Sequence, residues 1–133
     1  MKKVILGILI LVIIGAAYGF YLYNKKTPSL ENTQPFMSLT ADELYQSFSL
    51  DETDATKKYQ GKVLQVSGKI LSISQSDSIS NIILNAEDAL FGGINCSFNS
   101  LGSMPKKGDE IQVKGRCQGY LTSVILNNCV IVK

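Results

Sequence analysis

The sequence contains no histidine and no tryptophan, only one arginine, and just three prolines and three cysteines. Without imidazole there is no Ser-His or Cys-His nucleophile pair and no zinc site that needs a histidine ligand. The cysteines, at 96, 117 and 129, contain no C-x-x-C and lack metal-ligand spacing. The paired carboxylates Glu87-Asp88 and Asp109-Glu110 fall in turns, as solvated side chains do. Asp51-Glu52-Thr53-Asp54 lacks the glycine and terminal glutamate of a calcium loop. Gly92-Gly93 joins two strand-like segments, so it does not read as a phosphate loop before a helix. The chain therefore reads as a protein without catalytic activity, and no cofactor is expected.

What the sequence has is one long apolar run. Residues 4–23 (VILGILILVIIGAAYGFYLY) carry no charge and are bracketed by Lys2-Lys3 and Lys25-Lys26. A helix of ~20 apolar residues spans the ~30 Å hydrocarbon layer. Tyr18, Tyr21 and Tyr23 gather at its C-terminal end, where amphipathic rings suit the headgroup level. The segment is expected to be an uncleaved anchor in the inner (cytoplasmic) membrane. The alternative is a cleaved signal peptide with Gly15-Ala16-Ala17 at its cleavage site, which would leave a secreted or periplasmic protein. Lys2, Lys3 and the free amine place the N-terminus in the cytoplasm by the positive-inside rule. Either version exports the rest of the chain.

Residues 27–38 (TPSLENTQPFMS) have no periodic pattern and read as a linker, which leaves 39–133 as one domain. Thr40 and Glu43 fit a capping box, with Leu39 and Leu44 as the hydrophobic staple. A helical segment is expected over 40–59, pausing near Leu50 and restarting behind Asp51. After Gly61 the period becomes that of a strand. Apolar residues stand at 64, 66 and 70, then 71 and 73, so the phase slips after Gly68 and predicts a bulge or sharp bend. Further strands are predicted at 79–86, at Ile94, Cys96 and Phe98, at Ile111 to Cys117, and at 124–132. Five short strands, the first of them bent, suit a small closed barrel, which hides the sheet edges. An open sheet packed on the helix is the alternative.

The segments LTADELY (39–45), KKYQGKV (57–63), VSGKI (66–70), KKGDEI (106–111), VKGRC (113–117) and LNNCVI (126–131), in this order and spacing, resemble the tRNA_anti-like family of OB-fold proteins. The resemblance covers roughly 39–133. It implies a mainly β fold, a five-stranded OB barrel with an N-terminal helix, here preceded by one transmembrane helix. It implies no catalytic residues.

An exported domain with three cysteines raises the question of a disulfide. If the last hairpin turns at Thr122 to Val124, Leu121 faces Ile125 and Cys117 faces Cys129, within cystine range of each other. A Cys117–Cys129 bridge is expected. Three reduced, buried thiols are the alternative.

Four of the 13 bases flank the apolar run, which leaves nine bases against 11 acids beyond residue 26, a net charge of −2. This opposes nucleic acid as a partner, since a backbone-tracking site needs clustered cations. Lys62, Lys69, Lys114 and Arg116 fall in the first and fourth strands and could form a small basic stripe. Phe91 and Tyr120 are the aromatic candidates for a ligand groove, Tyr120 lying near a loop where OB barrels bind. The sequence thus predicts a membrane-tethered, extracytoplasmic binding module. Residues 4–23 hold the membrane, and a groove over the second and third of the five strands, with the loops after the first and fourth, holds a protein, peptide or glycan partner of the envelope. A single-stranded nucleic-acid-binding domain and a structural subunit of an envelope complex are the alternatives.

Overall fold

A computed structural model describes residues 2–25 and 28–132. Lys26 and Thr27, part of the expected flank and linker, lie outside it. The first element is a helix, α1 (Lys2–Asn24), which at ~1.5 Å per residue is about 35 Å long. Every apolar side chain along it is exposed. It is long and apolar enough to cross a membrane.

The remaining elements are β1 (Met37–Thr40), α2 (Ala41–Leu50), α3 (Glu52–Tyr59), β2 (Val63–Gln75), β3 (Ser80–Leu84), β4 (Ile94–Phe98), β5 (Glu110–Tyr120) and β6 (Val124–Val132). The helical segment breaks where expected. The Thr40 hydroxyl accepts from Glu43 N–H at 3.2 Å, and the Glu43 carboxylate accepts from Thr40 N–H at 2.8 Å. This reciprocal cap is worth about 1 kcal/mol. Asp51 ends α2 and caps α3, its carboxylate accepting from Asp54 N–H.

Strands β2 to β6 close into a five-stranded barrel in the order β2-β3-β4-β6-β5, with β5 returning to β2. The bend foreseen in the first barrel strand closes it. Val63–Lys69 pair with β5, and Ile70–Gln75 pair with β3 across a register shift between Ile70 and Ser72. Gly68 sits just before the handover, where an added Cβ would lie 3.0 Å from Ala41 Cβ and 3.3 Å from Leu84 Cβ. The helix can therefore pack closely against the bend. β4 and β6 run parallel and share only three residue pairs, from Ile94↔Val124 to Cys96↔Leu126.

The core is formed by the inward positions of all five strands, among them Leu64, Val66, Ile82, Leu84, Ile94, Phe98, Val113 and Leu126. Leu44 and Phe48 of α2 join it. Helix α2 lies over the end of the barrel where β3 and β5 finish. It is held there by Asp42, whose carboxylate accepts from Glu87 N–H at 2.7 Å, and by Gln46, which donates to Asp88 at 3.1 Å.

The stretch read as a linker is packed against the barrel from Pro28 onward. Leu30 is buried, and the Glu31 carbonyl accepts from the Lys114 ammonium at 2.9 Å. Phe36 N–H donates to the Val63 carbonyl at 2.7 Å, and β1 then pairs in parallel with Leu64–Ser67. The segment is a strap, and its last residues are a sixth strand on the sheet.

The last hairpin is also in a different register from the one expected. Tyr120 faces Val124, and Cys117 faces Leu126 rather than Cys129. The turn centres one residue earlier, and Gly119 (φ 137°) and Asn128 (φ 54°) introduce irregularities into the two strands. Cys117 and Cys129 are not bonded; all three cysteines are buried free thiols.

Candidate functional site

A hollow of about 510 Å³ lies on the outer face of β4, β5 and β6, the third to fifth barrel strands, rather than over the second and third. Its floor is polar: Ser97 and Asn99 from the β4 side, Arg116 and Gln118 from β5, Asn127 and Asn128 from β6. These side chains point outward because their neighbours Cys96, Phe98, Cys117 and Leu126 point into the core, as strand alternation requires. The walls are Pro28 and Leu30 of the strap and Ile79 before β3.

Hydrogen bonds fix the amides of this face. Asn128 donates to the Pro28 carbonyl at 2.9 Å and accepts from the Asn99 amide at 3.2 Å. Its left-handed backbone, which asparagine tolerates well, turns the side chain toward the strap. Ser97 donates to Asn81 at 2.7 Å. Arg116 donates to the Gly61 carbonyl at 3.0 Å. Asn95 Oδ1, on β4, is buried without a hydrogen-bond partner.

The residues singled out from the sequence separate in space. Of the four basic ones, Arg116 alone lines the hollow. Lys114 is 8 % exposed and is committed to Glu31 under the strap. Lys62 stands with its ammonium 5.4 Å from the centre of the Phe36 ring. Lys69 is exposed and lies opposite Glu110 across β2 and β5. Phe91 is exposed in the loop between β3 and β4, by the end of the barrel that α2 covers.

Tyr120 lines a smaller hollow of about 290 Å³ with Gln60, Gln118 and Leu121, and it also belongs to an aromatic cluster. Its ring stacks on Phe48 at 5.9 Å and meets Tyr45 edge-on at 5.9 Å, with the two hydroxyls 3.4 Å apart. The hydrogen bond to Tyr45 holds the Tyr120 phenol above its ordinary value. Burial adds to this, as does repulsion from Tyr45 and Glu52. The folded chain thus keeps this proton more tightly than the unfolded one. The linked stability is complete below the unfolded value of about 10 and is lost as pH rises through the folded value. Urea midpoints should therefore fall as pH rises above about 10. Tyr120→Phe should flatten that part of the profile.

The amides that make up the hollow carried one sequence signal, the pair Asn127-Asn128 interrupting the apolar run VILNNCVIV. Ser97, Asn99 and Gln118 carried none. Among the described residues, no group of three or more His, Cys, Asp or Glu side chains could hold a metal ion. Arg116, the amides and the serine give the hollow many hydrogen-bond donors and acceptors and one positive charge. It contains no nucleophile paired with a base.

Among solved structures, the chain is similar to a "putative nucleic acid-binding lipoprotein" from Klebsiella pneumoniae subsp. pneumoniae MGH 78578. The TM-score is 0.59 at 20 % identity, over 72 % of this chain and 91 % of that one, a likeness of fold. No curated protein matches. The tRNA_anti-like family model matches residues 1–131, the strap and the leading helix included. The chain belongs to the tRNA_anti-like family.

Proposed function

We propose that this protein is a membrane-tethered, extracytoplasmic OB-fold module that binds a polar ligand in the hollow over β4, β5 and β6 and does not transform it. The observation that carries this reading is the lining itself. Six polar side chains, only one of them charged, face a concavity of about 510 Å³ between two apolar walls. Neutral amides offer both donors and acceptors, which suits the backbone of a peptide or the hydroxyls of a glycan. Anchoring of α1 in the inner membrane places the module at the outer surface of that membrane.

Single-stranded nucleic acid is the second reading, favoured by the description of the Klebsiella protein. Against it stand the net charge of −2 beyond residue 26 and a hollow without an aromatic ring for base stacking.

The test places a photoreactive amino acid at Gln118 in the full-length protein, crosslinks in intact cells and determines the adduct mass. The expected adduct is a peptide, protein or glycan. Arg116→Ala should weaken capture about tenfold, as loss of a charge-assisted hydrogen bond does. Saturable oligonucleotide binding at ~0.15 M salt that weakens steeply as salt rises would replace this reading with the second.

A further inference from the structure

The three thiols are not equivalent in space. Cys96 on β4 and Cys129 on β6 belong to neighbouring parallel strands, and both point into the core. Cys96 lies opposite Leu126 in the last residue pair of that seam. In a regular strand Cys129, three residues on, would be ~10 Å further along. Asn128, with φ 54°, breaks the regular strand. As a result the Cys129 thiol returns to within 3.4 Å of the Leu126 carbonyl, to which it donates. Cys96 faces that same Leu126, so the Cys129 thiol comes back beside it, and Cys129 is the main influence on the Cys96 thiol. Space for the Cys129 sulfur exists because residue 115 is glycine; a Cβ there would lie 2.6 Å from it. Cys117 is on β5, opposite Leu126 from the other side.

We propose that Cys96 and Cys129 form a disulfide in the exported protein and that Cys117 remains a free thiol. The proposal rests on the extracytoplasmic reading for its oxidant. That oxidant is an external disulfide, either glutathione disulfide or the active-site disulfide of a thiol oxidase. One cysteine thiolate attacks it, forming a mixed disulfide and expelling one thiolate. The second cysteine thiolate then displaces the other half. The Cys96–Cys129 bond forms, two electrons reduce the oxidant to two thiols, and the two cysteine protons end on the expelled sulfurs.

The exchange belongs to folding, before the barrel closes. In the closed barrel, donation to Cys129, burial, and repulsion from a Cys129 thiolate hold the Cys96 thiol well above its ordinary range. The reactive thiolate is therefore scarce there. The cystine would fasten β4 to β6 just past the three residue pairs that join them.

Two measurements test this and separate it from the question of compartment. In the first, cells are quenched in acid, and free thiols of the full-length protein are alkylated under denaturing conditions and mapped. One labelled cysteine, Cys117, is expected, with Cys96 and Cys129 labelled only after reduction. In the second, the purified full-length chain in detergent is reduced, denatured and refolded in a glutathione redox buffer. The same pair should form there, and in Cys117→Ser as well. Three free thiols after refolding, or a cystine containing Cys117 in either measurement, overturns the pairing. Three free thiols in cells with the expected cystine after refolding upholds the pairing and overturns the extracytoplasmic placement. Mapping of the wild-type chain depends on no variant.

Discussion

Replacing Phe48 with alanine should destabilise the barrel by about 3–5 kcal/mol, enough to unfold much of a domain this small. Phe48 is 1 % exposed. Its ring stacks on Tyr120 and lies 6.0 Å from the Tyr59 ring, so it joins α2, α3 and the end of β5 in a single contact. The two tyrosines beside it are held elsewhere and do not collapse fully into the space it leaves. Tyr120 bonds Tyr45, and Tyr59 is buried under the Lys58 ammonium, 5.0 Å from its ring centre. The loss therefore includes a cavity as well as the transfer free energy of the ring. Urea unfolding of the full-length protein in detergent, followed by far-UV circular dichroism, measures it. Leu50→Ala is the control, since Leu50 is 87 % exposed on the same helix and its loss should stay within about 0.5 kcal/mol. A Phe48→Ala protein as stable as the control would mean that α2 does not seal the barrel.

Placing two arginines in the leading helix, Leu9→Arg with Ile13→Arg, should abolish membrane association. Both positions are near the middle of α1 and four residues apart on its surface. Each arginine costs about 2.5–3.5 kcal/mol at the centre of a span, so the pair shifts the insertion equilibrium by roughly four orders of magnitude. The wild-type chain should remain in the membrane pellet after alkaline carbonate extraction, and the variant should not. Intact mass of the wild-type protein decides between anchor and signal peptide. The full 133 residues mean an anchor; a chain beginning just beyond Ala17 means cleavage.

Features written in local chemistry were legible in the sequence. The Thr40–Glu43 box, the restart at Asp51 and the slip after Gly68 each follow from one or two side chains acting on their own backbone, and each stands where it was expected. The features that escaped depend on partners distant in the chain. β1 is four residues long, and its reason to be a strand is the exposed edge of β2, not its own alternation. Lys114 reads as a solvated strand residue, and only the strap laid over it makes it a buried donor. The strap has the composition of a linker, with Leu30 and Phe36 the sole apolar marks before Met37. The register of the last hairpin depended on where single residues adopt positive φ. Gly119 and Asn128 were visible as residue types, but their effects on the ladder were not. The hollow inherits this limit, because its floor comes from three strands whose relative stagger those two positions set.

The strap's attachment also governs how far the barrel can travel. Pro28 is fastened through Asn128, and the last residue of α1 is Asn24. Four residues of chain reach at most about 14 Å. An anchored copy is thus moored at arm's length from the lipid and cannot patrol the compartment. A ligand of the hollow would then be met within that distance of the bilayer surface, whichever way it arrives.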